Sequence, residues 1–224
     1  MTMPTAVIVF AKPPIAWQAK TRLIPTLGAD GAAALAARML DHALAQAAAS
    51  LLGPLSLYAT ARHAALRDAA RQHGAMRKLQ RGPDLGTRML EALVHETRTV
   101  PAALLLGSDI PALNATLLLE AADVLGETDC VFVPTLDGGF ALVGSTRAAA
   151  PRLELVFAGQ NWGTPRVMTE VRPRLLEQGL RWAELEAVSD IDTPADLTQV
   201  PAHWLHELRS STYLASHSPS PSSP

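Results

Sequence analysis

Three acidic residues follow apolar runs that are typical of strands, and their chemistry indicates a cation site. Asp109 ends a run of alanines and leucines, Asp137 follows a run of valines, and Asp192 lies in a turn after a third apolar segment. Burying a carboxylate at a strand end costs free energy unless a cation or hydrogen bonds compensate. Open α/β sheets also bind ligands beyond the carboxyl ends of their strands. The pattern predicts one crevice with Asp109 as a metal ligand; alternatively, Asp109 caps a helix that starts near Leu113.

The N-terminal loop carries candidate partners for phosphate. Residues 6–12 read as a first strand that ends at Lys12, and the loop after it contains Lys20, Thr21 and Arg22. The chain has three lysines against sixteen arginines, and two of those lysines lie in this region. Lysine binds phosphate as a point charge, whereas arginine binds it as a bidentate fork. This clustering points to phosphate chemistry.

Composition limits the class of protein. The 224 residues, 48% hydrophobic and 18% charged, predict a globular domain over residues 1–209. The tail over residues 210–224 is rich in Ser and Pro, which predicts disorder. The net charge of −2 does not favour nucleic acid or anionic lipid as a partner. The single cysteine, Cys130, is expected to act as a small buried hydrophobe. With no signal-like or membrane-spanning apolar run, we expect a cytoplasmic protein.

The element order predicts an α/β fold with a mixed, mostly parallel sheet flanked by helices. Short apolar runs alternate with helical stretches, as in parallel sheets that are covered on both faces. We expect Asp30, Asp84 and Thr164 to cap helices over about 30–50, 85–97 and 165–178, and Pro194 to open the last helix. The Asp137–Gly139 turn joins two apolar runs as a reversal, which makes the sheet mixed.

Six motifs in this order resemble the rSAM/selenodomain-associated transferase 1 family, over about residues 6–200. The family consists of glycosyltransferase-like proteins with the GT-A nucleotide-diphospho-sugar transferase fold. More distantly, the chain is similar to 2-phospholactate guanylyltransferase. The motifs are Phe10-Ala11-Lys12 with Lys20-Thr21-Arg22-Leu23, Asp84-Leu85-Gly86-Thr87-Arg88-Met89, Gly107-Ser108-Asp109-Ile110-Pro111, Asp137-Gly138-Gly139-Phe140, Trp162-Gly163-Thr164 and Asp190-Ile191-Asp192-Thr193-Pro194-Ala195-Asp196-Leu197.

The resemblance implies a metal site that holds a nucleotide diphosphate. In the related folds two acidic or amide side chains bind the cation. Asp109 matches the first ligand and Asp192 the second, with Asp190 as the substitute. Mg²⁺ and Mn²⁺ prefer oxygen ligands and keep several waters, so two carboxylates and phosphate oxygens suffice. Asp196 is interpreted instead as a helix-start carboxylate.

The resemblance also implies the residues that hold the nucleotide. Lys12, Lys20 and Arg22 correspond to the phosphate-binding loop. Gln80, with the turn that contains Gly86, corresponds to the region that reads the nucleobase.

Two positions depart from the family pattern. Ala16-Trp17 replaces a Pro-Gly pair in the first loop, and Pro83 replaces a glycine. A tryptophan at this place either fills the phosphate pocket or stacks on the donor. The first alternative favours a binding protein without catalysis, and the second an enzyme.

The combined observations predict a metal-dependent transferase that moves a sugar from an NDP-sugar to a small acceptor. Asp137 is the best candidate for the acceptor base, with a plain turn former as the alternative, while Lys20 and Arg22 stabilise the leaving phosphates. Trp162 is interpreted as a core or rim aromatic, or as part of an acceptor site. The rival reaction is nucleotidyl transfer from an NTP to a phosphorylated acceptor, which releases pyrophosphate. Fold alone does not choose between them.

Overall fold

The alternation of apolar runs and helical segments produces a seven-stranded sheet in the computed structural model, which describes residues 3–208. The strands are β1 (Thr5–Ala11), β2 (Leu55–Ala59), β3 (Met76–Leu79), β4 (Ala102–Gly107), β5 (Cys130–Pro134), β6 (Phe140–Thr146) and β7 (Trp182–Glu184). Their spatial order is β3-β2-β1-β4-β6-β5-β7. β1 pairs in parallel with β2 and β4, whereas β6 is antiparallel to both β4 and β5. The prediction of a mixed, mostly parallel sheet is confirmed.

Helices cover both faces of this sheet. The α-helices are α1 (Ile24–Ala49), α2 (Ala64–Gln72), α3 (Leu85–Glu96), α4 (Ala115–Val124), α5 (Leu153–Phe157) and α6 (Val167–Glu177). Three 3₁₀ helices, Thr21–Leu23, Ala150–Arg152 and Pro194–Gln199, occupy connections, and residues 202–208 are helical. No helix within residues 3–208 has the length and apolar character needed to cross a membrane.

The side-chain alternation of β1 divides the core into two layers. Val7 and Val9 pack with α1, α2 and α4 on one face, whereas Ile8 and Phe10 pack with α3, α5 and α6 on the other. Successive residues of a strand point to opposite faces, so a wholly apolar strand must be covered twice. All seven residues of β1 are buried. The strand is therefore held from both sides, and its carboxyl end is fixed relative to its neighbours.

Several predicted helix boundaries hold and two are wrong. Asp84 caps α3 by accepting from the backbone N–H of Thr87 at 2.9 Å, and Pro194 occupies the first turn of the final 3₁₀ helix. Asp30 caps nothing: helical structure begins at Ile24 and is interrupted at Gly28, whose φ is 72°. Such a positive φ suits glycine, so the break falls there and not at the acid.

Thr164 does not cap α6, which begins after Arg166 without a side-chain cap. Its hydroxyl donates to the carbonyl of Asn161 instead. Cys130 is buried in β5 as expected, and burial raises the pKa of its thiol to about 12. The predicted boundary at residue 209 and the disordered tail over 210–224 lie outside the described residues.

A buried ion pair fastens α3 to the edge of the sheet. The Lys78 ammonium on β3 donates to Glu96 Oε1 at 2.6 Å, and the Tyr58 hydroxyl on β2 donates to the same oxygen at 2.9 Å. The Glu96 side chain is 6% exposed. Burial alone would raise the pKa of Glu96, but the Lys78 and Tyr58 hydrogen bonds outweigh it and lower the pKa below its ordinary value of 4.5.

We expect Glu96→Gln to lower the free energy of unfolding at pH 7 by about 2 kcal/mol, because the variant loses a charge-assisted bond and leaves Lys78 partly unpaired. A carboxyl whose folded pKa is lowered contributes stability above its unfolded pKa and loses it as the pH falls through the folded pKa. The difference between the two proteins should therefore narrow below about pH 4.5. Urea titrations between pH 3 and 7 measure this, with the exposed Glu120→Gln as control. A difference that does not change with pH would contradict the ion pair.

Candidate active site

A cavity of about 560 Å³ opens at the carboxyl ends of the parallel strands. Residues that directly follow β1, β2, β3 and β4 line it, namely Lys12, Thr60, Gln80 and Ser108. The chain leaves β1 toward β2 on one side and later returns to β4 on the other, so the cavity lies where the strand order reverses. Open α/β sheets bind ligands at this point.

Lys20 joins two acids across this cavity. Its Nζ lies 2.8 Å from Asp109 Oδ2 and 3.4 Å from Asp192 Oδ1. Arg22 Nη1 lies 2.7 Å from the other oxygen of Asp192. The structure thus brings together four residues that the sequence singled out, and each acid keeps about two fifths of its side chain exposed to the cavity.

The backbone at Lys20 is adapted to this contact. Its φ of 46° lies in the left-handed region, which costs a residue with a Cβ about 1–2 kcal/mol. The side chain is only 11% exposed. Burial would lower the pKa of Lys20, but the charge of Asp109, its hydrogen bond and the charge of Asp192 together raise it. The ammonium therefore stays protonated.

A buried isoleucine separates the two acids of the closing turn. The Ile191 side chain is fully buried beside Leu23, Leu35 and Met39, and its N–H donates to the carbonyl of Asp109 at 3.1 Å. Because the turn is anchored at Ile191, its neighbours face different spaces: Asp192 lines the first cavity, and Asp190 lines a second one.

The helix that follows Asp109 has another cap. Asn114 accepts the N–H of Leu117 at 3.0 Å and is the N-cap of α4. The interpretation of Asp109 as a helix cap is therefore wrong. Asp196, by contrast, accepts the N–H groups of Asp192 and Thr193 and closes a capping box, as its predicted helix-start role requires.

The second cavity, of about 330 Å³, adjoins the first through Asp109. It is lined by Asp137 and Asp190 and by aromatic side chains that include Phe140 and Trp162. Burial, followed by the charges of Asp137 and Asp109, raises the pKa of Asp190. This cavity therefore concentrates negative charge beside an apolar wall.

The turn at Asp137 is held by hydrogen bonds to its carboxylate and by close backbone packing at Gly138. Asp137 Oδ1 accepts from the Thr135 hydroxyl at 2.5 Å and from the Gly139 N–H at 3.1 Å. Gly138 has a φ of 94°, and a Cβ there would overlap the backbone of Pro165. Both readings of Asp137 thus find support in the same geometry, since it forms the turn and faces a cavity.

Of two residues in the motif that begins at Asp84, Arg88 lines the first cavity and Gly86 does not. Gly86 is not among the residues that line the first cavity; a Cβ at this position would come within 2.8 Å of Trp162 Cζ2, so its absence makes room for the ring. Lys12 and Gln80 do line the cavity, and Gln80 Nε2 donates to the carbonyl of Tyr58. Arg88 also lines it and donates to the carbonyl of Gly82 at 2.9 Å. The sequence analysis did not select Arg88 as a site residue. The signal that could have indicated it was its position in the same motif as Gly86, one helical turn after Asp84.

Trp17 does not fill the first cavity, where the sequence predicts phosphate binding. Its side chain is 74% exposed and is not among the residues that line the first cavity. Its φ of 67° lies in the left-handed region, which explains the glycine that the related family prefers there. Occlusion is thus wrong, whereas stacking on a bound donor stays a prediction.

We expect Trp17→Gly to be more stable than Trp17→Ala by about 1 kcal/mol, because both variants remove the ring but only glycine accepts a positive φ without strain. Urea unfolding of the two variants measures this difference directly. A matched pair at Gln18, whose backbone lacks a positive φ, should favour alanine. Equal stability of the two Trp17 variants would contradict the left-handed backbone at this residue.

Solved structures share this fold over nearly their whole length. A "putative nucleotide-diphospho-sugar transferase" from Desulfovibrio desulfuricans G20 has a TM-score of 0.79 at 23% identity and covers 97% of this chain and 100% of its own. The 4-diphosphocytidyl-2C-methyl-D-erythritol synthase from Anaerococcus prevotii DSM 20548 has 0.62 at 9%, with 92% and 100% covered. A CMP:2-keto-3-deoxy-manno-octonic acid synthetase complexed with CTP has 0.54 at 15%, with 91% and 99% covered. These likenesses confirm the predicted fold.

Sequence comparison identifies the family. No curated protein sequence is significantly similar to the chain. A family model described as "Uncharacterized protein conserved in bacteria (DUF2064)" matches residues 43–164, more than half of the chain, and includes α3, β4 with Asp109, and the Asp137 turn. The transferase-like resemblance of the motifs agrees with this match and with the fold. The chain therefore belongs to the DUF2064 family.

Proposed function

We propose that this protein is a metal-dependent transferase that moves a sugar from a nucleotide-diphospho-sugar to a small acceptor. The observation that carries the proposal is the convergence of Lys20, Arg22, Asp109 and Asp192 at the carboxyl end of the sheet. These residues come from three distant segments of the chain, namely the loop after β1, the end of β4 and the closing turn. Charged groups that converge in a cavity at a strand switch are typical of binding sites.

The first cavity suits an anionic donor. Four cationic side chains, Lys12, Lys20, Arg22 and Arg88, line it against the two acids. Its volume of about 560 Å³ falls within the usual range for ligands of nucleotide size. A diphosphate placed near Lys20 and Arg22 would leave the base and ribose to the part of the cavity beside Gln80. The net positive lining supports phosphate binding, which the overall charge of the protein does not.

The two acids fit a hydrated divalent cation. One ammonium already lies within 3.4 Å of both carboxylates, so their oxygens converge on a single cationic position. No group of three candidate ligands exists among residues 3–208. A cation held by Asp109 and Asp192 would therefore complete its coordination with water and diphosphate oxygens, as Mg²⁺ and Mn²⁺ do. When bound, the cation would neutralise the charge that develops on the leaving diphosphate.

The chain's own residues would carry out the rest of the reaction. The hydroxyl oxygen of the acceptor attacks the anomeric carbon of the donor, and a new C–O bond forms. The bond from that carbon to the diphosphate breaks, and its electron pair goes to the diphosphate oxygen beside Lys20 and Arg22. Asp137 accepts the hydroxyl proton and releases it to water. The products are a glycoside and a nucleoside diphosphate.

Nucleotidyl transfer is the second candidate. Two solved structures with this fold are a synthetase complexed with CTP and a diphosphocytidyl synthase. In that reaction an acceptor phosphate would attack the α-phosphate of an NTP, and pyrophosphate would leave. The two candidates differ in their products, because only glycosyl transfer releases a nucleoside diphosphate. The third hypothesis, a protein that binds nucleotide without catalysis, loses its main support because Trp17 leaves the first cavity open.

The test is to incubate the purified protein with UDP-, GDP-, CDP- and ADP-sugars, and separately with the matching NTPs, each with and without Mn²⁺. We expect release of a nucleoside diphosphate from at least one sugar nucleotide, only with metal. Asp109→Asn and Asp192→Asn should each lower the release by about a hundredfold or more, because each removes a charge that holds the cation. Ion-exchange chromatography quantifies nucleoside diphosphate and pyrophosphate together.

Asp123→Asn on the exposed side of α4 is the matched control and should match the parent protein. Release of pyrophosphate from an NTP would show that the reaction is nucleotidyl transfer and not glycosyl transfer. Normal metal-dependent release by Asp192→Asn, together with loss in Asp190→Asn, would show that the ligand is the other acid of the closing turn.

Lys20→Met separates competition with the metal from binding of phosphate. The variant keeps the length of the side chain but loses the ammonium that lies between the acids. We expect Mn²⁺ alone to bind about tenfold more tightly, because a competing cation is removed, and a nucleoside diphosphate with Mn²⁺ to bind about tenfold more weakly. Calorimetry with Mn²⁺, nucleoside and nucleoside diphosphate measures all three. Equal losses for nucleoside and diphosphate would indicate a general disruption of the loop instead.

A further inference from the structure

The second cavity lies where an acceptor would meet the donor. It shares Phe10, Leu85, Gly107 and Asp109 with the first cavity, so the two spaces are adjacent. A ligand with its diphosphate at Lys20 would extend past Asp109 toward this space. The volume of about 330 Å³ suits a compound of the size of one sugar ring with a substituent.

The two cavities differ sharply in charge. Lysine and arginine side chains line the first, whereas no lysine, arginine or histidine is among the described residues that line the second. Asp109, Asp137 and Asp190 all face it. A phosphate or carboxylate placed there would meet the carboxylates of Asp137 and Asp190, which form no ion pair within residues 3–208, beside Asp109, which is paired with Lys20. Such like-charge contacts disfavour binding of an anion.

An aromatic wall completes the second cavity, and its position is fixed. The Trp162 ring packs edge-on against Phe140 and Phe157, with centroid distances of 6.0 and 5.6 Å. Gly86 leaves the space that the ring occupies. Trp162 and Phe140 therefore contribute a packed apolar surface to the cavity that the acids also line. Such a combination binds the apolar face of a ring on one side and hydroxyl groups on the other.

Asp137 keeps one oxygen for a ligand. Its Oδ1 accepts the bonds from Thr135 and Gly139 that hold the turn. Within residues 3–208 no hydrogen bond is directed at Oδ2. The turn thus orients the carboxylate while one oxygen remains able to accept a hydroxyl proton.

We propose that the second cavity binds the acceptor, and that the acceptor is an uncharged or cationic hydroxyl compound with an apolar ring or alkyl face and no phosphate or carboxylate group. The assignment of this space to an acceptor rests on the proposed transferase function. The chemical class follows from the lining alone: acids exclude anions, Asp137 accepts from a hydroxyl, and Trp162 covers an apolar face. An acceptor of this class fits glycosyl transfer and does not fit the phosphorylated acceptor of nucleotidyl transfer.

Matched pairs of compounds test the class. Glycerol, glucose and choline are each compared with their phosphorylated forms, glycerol 3-phosphate, glucose 6-phosphate and phosphocholine. Saturation-transfer NMR with the metal-free protein and no donor measures binding, and release of nucleoside diphosphate in the presence of donor and Mn²⁺ measures transfer. We expect at least one unphosphorylated compound to bind and to accelerate release by about tenfold or more over its phosphorylated partner, since the acids repel phosphate.

Three variants and one control test whether the effect arises in the second cavity. Asp137→Asn should lower acceptor-stimulated release by about a hundredfold, the lower end for loss of a general base. Trp162→Phe keeps an aromatic ring in the packed wall and should weaken binding of the same compound by about threefold, whereas the exposed Leu155→Ala should not change it. Thr164→Lys places a cation on the lining and should bring the phosphorylated partner to within about threefold of the unphosphorylated one at low salt. Because Thr164→Lys is expected to gain binding of the phosphorylated compound, its effect cannot result from unfolding of the variant.

The two arms separate failure of the proposal from failure of the proposed function. If no donor releases a nucleoside diphosphate but an unphosphorylated compound binds with the expected response to Thr164→Lys, the class of ligand stands and glycosyl transfer falls. Tighter binding of the phosphorylated compounds by the parent protein would overturn the proposal. Absence of binding by every compound, with no change in Trp162→Phe or Thr164→Lys, would overturn it as well, even if the protein hydrolyses a donor.

Discussion

The position of one ammonium group organises the candidate site. Lys20 Nζ contacts acids that lie 89 and 172 residues further along the chain, and so it ties the first loop to the end of β4 and to the closing turn. The residue accepts a left-handed backbone to do so. Buried ion pairs contribute little net stability after desolvation. Strain and desolvation at one point are therefore better explained by a ligand than by the needs of the fold.

Asp109 matters because it belongs to both cavities. Its carboxylate contacts Lys20 on the side of the cationic cavity and also lines the acidic one. The buried Ile191, hydrogen-bonded to the backbone of Asp109, directs its two neighbouring acids to opposite sides. One short acidic segment therefore contributes Asp192 to the cationic cavity and Asp190 to the acidic cavity.

The strand-end acids and the mixed sheet were predictable because apolar periodicity and turn residues are local signals. Helix caps were less predictable. Asp84 caps α3 as expected. Asp30 caps no helix because the helical segment starts earlier and breaks at Gly28, and Thr164 caps none because its hydroxyl donates to Asn161. The sequence singled out Asp137, Asp190 and Trp162 individually, but it did not predict that they line a second, separate cavity. Trp162, Phe140, Asp137 and Asp190 come together only through the antiparallel β5–β6 pair, the loop before α6 and the closing turn. Spacing along the sequence contains no measure of that approach.

The fold permits both glycosyl and nucleotidyl transfer, so the choice must come from the charges at the site. A cationic cavity alone would suit either reaction, because both donors carry phosphates. The acidic cavity beside it argues against nucleotidyl transfer to a phosphorylated acceptor, since that reaction would bring an acceptor phosphate close to Asp137 and Asp190. Binding of a cation at Asp109 would lower the negative charge of that second space but leave Asp137 and Asp190 in place. A neutral hydroxyl tolerates this field throughout the reaction, whereas an incoming phosphate would have to overcome it at the moment of attack.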